Sequence, residues 1–246
     1  MADASLRYFR GLGKFDGISS SVLKIIAITA MMLDHMSVLF FGAGPTVFRI
    51  IGRIAFPIFA FMISEGVRYS GNIRKYAVRL FAFALISEIP FDVGMASEFI
   101  DFSKQNVYFT LLLGLLSSVV LKKLKEKNLT YLGIFTTVIF AITALIIKSD
   151  YGFTGVAVIS VYYLFGELSG GARVLTFAAA SLLTCIAVTP GGIGLNILQL
   201  PAVFSVIPIV LYNGKKGFKM NKYVFYAFYP VHISVLTILA RAIFRS

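Results

Sequence analysis

The chain has 246 residues, of which 58% are hydrophobic and 14% charged, with a mean hydropathy of +0.87 and a formal net charge of +12. So apolar a composition excludes a water-soluble domain, and lipid is the expected solvent. The single cysteine, Cys185, excludes a disulfide framework and a multi-cysteine metal site.

Residues 1–20, MADASLRYFRGLGKFDGISS, are polar and basic and read as a cytoplasmic tail with no cleavable signal. Apolar runs then follow one another as a single membrane domain, a bundle over 21–240. Nine spans are predicted, at 21–41, 48–67, 76–91, 107–121, 129–147, 152–166, 173–188, 195–212 and 223–240. The runs lack strict period-two alternation, which argues against a transmembrane barrel, and helices are the remaining way to satisfy backbone groups in hydrocarbon. The expected fold is therefore an all-α polytopic transmembrane bundle. Of the 23 Lys and Arg residues, sixteen fall in the tail and the even-numbered loops and four on the opposite side. That bias predicts a cytoplasmic amino terminus, an external carboxyl terminus and a multi-pass place in the cell (inner or plasma) membrane. The basic charge is thereby assigned to topology. A nucleic-acid partner is not expected, because no soluble module interleaves aromatic and basic residues.

Ionisable side chains in hydrocarbon cost about 2.5 to 3.5 kcal/mol each on insertion scales, so each needs a reason. In the first span, SVLKIIAITAMMLDHMSVLFF, Lys24 and His35 are eleven residues apart. That spacing returns to within about 20° of one face, about 16 Å further along the axis. Asp34 points about 100° away from His35 and is expected to pair with another helix. The second span carries Arg49 and Arg53 on one face at its outer end and Glu65 near the cytoplasm. At the same outer level the third span ends in SEIPFD with Glu88 and Asp92. Two readings stand: interhelical salt bridges between these pairs, or a polar pocket for an acceptor. Near the cytoplasm, Lys24, Arg68 and Arg79 suit a polyanionic ligand, while Arg74 and Lys75 are explained by loop charge bias alone. Asn106, at the outer start of the fourth span, is a helix cap or an amide donor. The loop TPGGIGLN, Thr189 to Asn196, is expected to be a turn. Pro57, Pro90, Pro201, Pro208 and Pro230 fall in or at the ends of spans and mark kinks. The last span holds His232, just after Tyr229 and Pro230. His35 lies about 20 Å and His232 about 14 Å from the cytoplasmic ends of their helices, so both can face one chamber. Two histidines are too few ligands for a metal site, and none is expected.

The stretches LKIIAITAMMLDH, FRIIGRIAFPIFAFMISEG, RLFAFALISEIPFD, QNVYFTLLLG and FYPVHISVL occur in order between about residues 21 and 236 and together resemble the TraX family. That family is known for the membrane protein that acetylates the amino terminus of F pilin. It resembles in turn the broader transmembrane acyltransferases, whose first helix carries a basic residue, ten intervening residues and a histidine. Lys24 and His35 repeat that spacing, with lysine where arginine is usual, and Glu65 stands where an uncharged residue is usual. The resemblance implies transfer of acetyl from cytosolic acetyl-CoA to an amine or hydroxyl of an acceptor (peptide, glycan or lipid) at or across the membrane. It implies His35 as general base or acyl carrier with Asp34 beside it, and Lys24, Arg79 and Arg68 as holders of the coenzyme. The acceptor would meet Arg49, Arg53, Glu65, Glu88, Asp92, Asn106, Tyr229 and His232. The rival reading is a transporter or flippase in which the same charged residues line a path. A noncatalytic subunit of an envelope machine is a third.

Overall fold

A computed structural model describes residues 16–42, 44–189 and 192–244. The tail cations Arg7, Arg10 and Lys14, and Arg245, lie outside them. Each of the nine predicted stretches contains helix, though 173–188 and 195–212 are helical only in part. Helix α1 (Ser20–Phe41) starts at Ser19, whose hydroxyl accepts from the Val22 N–H, and stops at Gly42, whose φ of 79° suits a residue without Cβ. The second stretch is broken into α2 (Val47–Gly52) and α3 (Ala55–Tyr69). The break falls just before Pro57, which has no N–H to offer the Arg53 carbonyl one turn back. Next come α4 (Ile73–Met95), α5 (Val107–Lys125), α6 (Thr130–Ile146), α7 (Gly152–Phe165) and α8 (Gly170–Leu182). The last helix is α10 (Lys222–Phe244), preceded by a short α9 (Val206–Val210).

Between α8 and α9 the chain departs from the expected pattern. The seventh run ends in a 3₁₀ turn at Leu183–Cys185, and the eighth opens as a 3₁₀ helix at Ile197–Ser205. Pro201 inside that stretch removes the N–H that an α-helix would give to Ile197. The segment expected to be a turn is mostly a hairpin: β1 (Ile186–Thr189) pairs antiparallel with β2 (Gly192–Leu195), Ile186 opposite Leu195. Pro190 and Gly191, at its tip, lie outside the described residues.

Among the described residues, four helical segments are long and apolar enough to cross a bilayer: Ser20–Phe41, Val47–Tyr69, Val107–Lys125 and Lys222–Phe244. Thr130–Ile146, Gly152–Phe165, Gly170–Cys185 and Ile197–Val210 are apolar but shorter. The chain is a nearly all-helical membrane protein. Helix α3 lies among α1, α5 and α7, and α10 packs between α1 and α4. The core includes Ala27, Ile58, Phe61, Leu80, Leu115, Ile159, Tyr162 and Ile233, all buried. Helix α6 turns Phe135, Val138, Ile139 and Ile142 outward, an apolar surface suited to lipid.

Two features fix the depth of α10. Pro230 leaves the Tyr226 carbonyl without its helical donor, and the Tyr108 hydroxyl of α5 donates to that oxygen at 2.8 Å. Arg241 donates to the Val93 carbonyl near the end of α4 at 2.9 Å. Gly94 permits the approach, since a Cβ there would meet Ile233 Cγ2 and Thr237 Oγ1 at 2.8 Å.

Candidate active site

The two histidines of the chain meet. His35 Nδ1 of α1 and His232 Nε2 of α10 are 2.6 Å apart, with the rings within 10° of parallel. His232 Nδ1 is 2.6 Å from the Phe228 carbonyl of its own helix, and Phe228 stacks on the same ring. Tyr229 stands edge-on to both imidazoles, at 5.7 Å from His35 and 5.8 Å from His232.

His35 lines a cavity of about 1090 Å³ at the end of the bundle where α1 finishes. The remaining wall includes Asp34, Arg49, Arg53, Lys104, Asp150 and Tyr151. Asp34 bonds Arg53, and Arg49 stands 3.7 Å from the same carboxylate. The sharp entry into α2 that aims these guanidiniums is held at Thr46, whose hydroxyl accepts from the Arg49 N–H and bonds Ser37 of α1 at 2.5 Å. On the opposite wall Lys104 pairs with Asp150 at 2.9 Å, and that carboxylate holds the lysine ammonium above its ordinary range. The loop carrying Lys104 is fastened to the α6–α7 loop through the Gln105 N–H to Lys148 and the Asp150 N–H to Gln105. Tyr151 takes a φ of 62°, uncommon for a bulky residue, and its ring stacks on Phe56 at 3.8 Å.

A second, apolar cavity of about 50 Å³ lies toward the end where α1 begins. It is lined by Ile28, Met62 and the rings of Tyr76, Tyr108, Phe225 and Tyr226. Both cavities touch Met31, Phe59, Val107 and Tyr229, so they abut at the level of the histidine pair. Met31 is one turn before His35 on the same face. At the far rim, Lys24 Nζ lies 5.4 Å over Phe225, and the Arg79 guanidinium packs on Tyr76 and Tyr226 at 5.7 and 5.9 Å. Among the described residues neither cation is in an ion pair.

The structure thus brings together Asp34, His35, Arg49, Arg53, Tyr229 and His232, and places Lys24 and Arg79 against rings that line the smaller cavity. It does not bring the others. Arg49 and Arg53 pair with Asp34 of the adjoining helix, not with Glu88 and Asp92. The reason is packing: α2 lies on α1, whereas α4 lies on α5 and α10. Glu88 accepts instead from the backbone N–H and side-chain amide of Asn106, which also donates to the Ala84 carbonyl and caps α5. Asp92 accepts from the Asp101 N–H at 2.9 Å. Glu65 is paired with Arg68 at 3.0 Å, and Arg68 donates to the carbonyls of Tyr162 and Tyr163, capping α7 and leaving it away from Lys24 and Arg79. Lys104, Asp150, Tyr151 and, in the smaller cavity, Tyr76, Tyr108 and Tyr226 escaped the sequence reading. A signal was available in KSDYG, a charged and aromatic interruption between two apolar runs.

Comparison with known proteins follows the same residues. The family model described as TraX protein matches residues 19–240. A "Probable fimbrial assembly protein FimC, serogroup H1" of Dichelobacter nodosus is 33% identical over 237 residues, covering 89% of this chain and 94% of its own. No solved structure matches.

Proposed function

This chain belongs to the TraX family, and from that membership we propose that it is an acetyltransferase of the membrane, with His35 as general base. The positive-inside bias supports nine crossings with the amino terminus in the cytosol, which puts the rim at Lys24 and Arg79 on the cytosolic side and the larger cavity outside. Acetyl-CoA is the donor in this reading. The residues suit it: among the described residues, two cations without acidic partners stand at the rim for the phosphates, the buried Nε of Arg79 lacks a protein partner, and a narrow apolar passage with tyrosine rings leads inward for the pantetheine arm. The thioester would supply an activated acyl carbon.

The reading rests most on one observation: the two cavities abut beside the imidazole of His35. A neutral imidazole is the side chain best matched to proton transfer near neutral pH. As the acceptor nitrogen or oxygen bonds to the acyl carbon, its proton passes to His35. The carbon–sulfur bond breaks with its electron pair on sulfur, and the proton passes on from His35 to that thiolate. The acceptor comes from the side of Arg49, Arg53, Lys104 and Asp150, a mixed-charge wall suited to a polar group and not to an acyl chain. The fimbrial role in the relative's name favours the amino terminus of an exported peptide over a glycan or lipid.

The test is incubation of the purified protein with labelled acetyl-CoA and a membrane extract, followed by identification of the labelled acceptor by mass. Cavities that abut from both ends of a bundle also suit a transporter. Thermal stabilisation by acetyl-CoA, but not by its fragments, supports transfer, and stabilisation by neither supports transport.

A further inference from the structure

We propose that His232 is a positioning residue that holds His35 in its Nδ1–H form and so leaves the Nε2 lone pair as the working base. The inference rests on the reading of His35 as the base and adds which of its nitrogens does the work and what keeps it free.

The argument starts from an atom that can only accept. The Phe228 carbonyl, 2.6 Å from His232 Nδ1, requires a hydrogen on that nitrogen. In a neutral ring the other nitrogen, Nε2, is then an acceptor. His35 Nδ1 is 2.6 Å from it and must be the donor. The hydrogen of His35 is thereby placed on Nδ1, and Nε2 keeps its lone pair. His35 lines the larger cavity and His232 does not, so the ring edge left to that cavity carries the free nitrogen. Neutrality of the pair is consistent with its surroundings. Among the described residues the nearest carboxylate by sequence, Asp34, is engaged by Arg53, and the rings of Phe228 and Tyr229 lie against a buried His232. A second charge there would have no counter-ion.

The order of groups is carbonyl, imidazole, imidazole, with His232 in the orienting place that a carboxylate fills in a serine-protease triad. A neutral orienter fixes direction without adding a buried charge. When Nε2 takes the acceptor's proton, His35 still donates through Nδ1, and the positive charge is shared along the chain to the Phe228 oxygen. Three constraints set the place of His232: the Tyr108 hydroxyl on the Tyr226 carbonyl, the close approach at Gly94, and Arg241 on Val93.

Histidine labelled with ¹⁵N and ¹³C in the full chain, held in lipid nanodiscs, reads the hydrogen positions directly, because the chain has only two histidines. Both rings are expected with Nδ1 protonated and Nε2 bare. In His232→Ala, the His35 ring is expected to gain an Nε2–H population. Its transfer of labelled acetyl to membrane extract should fall about 10²- to 10⁴-fold at an unchanged apparent constant for acetyl-CoA, the scale of a misoriented base. His232→Gln, which keeps an acceptor on that side, should restore part of the Nδ1–H form and part of the turnover. A His35 ring protonated on Nε2 in the unaltered protein overturns the proposal, whatever the activity. So does a His232→Ala protein with both tautomer and turnover unchanged. An unaltered protein that shows the expected tautomers yet consumes no acetyl-CoA sinks the transferase reading and leaves the positioning of His35 standing.

Discussion

Gly52 of α2 lies so close to Asp34 of α1 that a methyl group in place of its hydrogen would come within 2.9 Å of Asp34 Cα and 2.8 Å of a carboxylate oxygen. The neighbouring Arg53 reaches Asp34 from this contact. Gly52→Ala is therefore expected to push α2 away, loosen the Asp34–Arg53 pair and lower stability by about 1 to 3 kcal/mol, as overpacking of a tight contact does. Thermal unfolding in detergent measures it, and an unchanged midpoint would show that α2 shifts freely.

Removing one member of the pair has a different signature. Arg53→Met leaves the Asp34 carboxylate with only the more distant Arg49, and a loss of about 3 to 5 kcal/mol is the scale for an orphaned buried charge. Adding Asp34→Leu to Arg53→Met should recover most of that loss. A double variant no more stable than the single would mean that the pair does not act as a unit.

His35→Ala is expected to reduce acetyl transfer about 10²- to 10⁴-fold with the fold retained, since the ring faces a cavity and is not packed on all sides. Turnover of purified variant, compared at equal amounts of folded protein, checks it. Undiminished turnover would remove His35 from the mechanism.

Lys24→Ala and Arg79→Ala should each raise the apparent constant for acetyl-CoA by about tenfold or more, the worth of a charge-assisted hydrogen bond, with turnover at saturation little changed. Loss of turnover without any change in that constant would move these residues away from coenzyme binding.

Met31→Trp is aimed at the junction of the cavities, where Met31 is 8% exposed and touches both. Transfer should be blocked while coenzyme A at the rim still raises the melting temperature. A variant that transfers normally would place the route elsewhere.

The Lys104–Asp150 pair gives a pH signature. The raised lysine value means that its contribution to stability is complete below the pKa of a free lysine and is lost as pH rises through the higher, folded-state value. The difference in melting temperature between the unaltered protein and Lys104→Met should thus be constant from neutral pH to about pH 9.5 and shrink above about pH 10.4. A difference that changes between pH 6 and 8 would assign the pair's effect to another group.

The apolar runs, the shared face of Lys24 and His35, and the depth of Arg49 and Arg53 are all legible in the sequence, because helical rise and period are local properties. Which helix stands beside which is not. Glu88 and Asp92 lie at the expected level for Arg49 and Arg53, but level is one coordinate and azimuth another. Asp34, on the adjoining helix, takes both guanidiniums. The contact between His35 and His232 joins residues 197 positions apart, and no local pattern specifies it. Their moderately different depths along the two helices allow one chamber, and only packing of α10 on α1 brings the rings together. The hairpin is not legible in the sequence, because glycine and proline announce a reversal of direction without saying whether the flanking residues pair.

The hydroxyl of Tyr108 acts as a substitute for the peptide donor that Pro230 lacks. The two positions are therefore chemically interdependent although they belong to different helices. Tyr108→Phe strands an oxygen inside the bilayer, whereas Pro230→Ala offers that oxygen a second donor and makes the phenol redundant. A lineage that lost the proline would be free to lose the phenol as well, and with it a tether holding the carboxyl-terminal helix in register with the rest of the bundle.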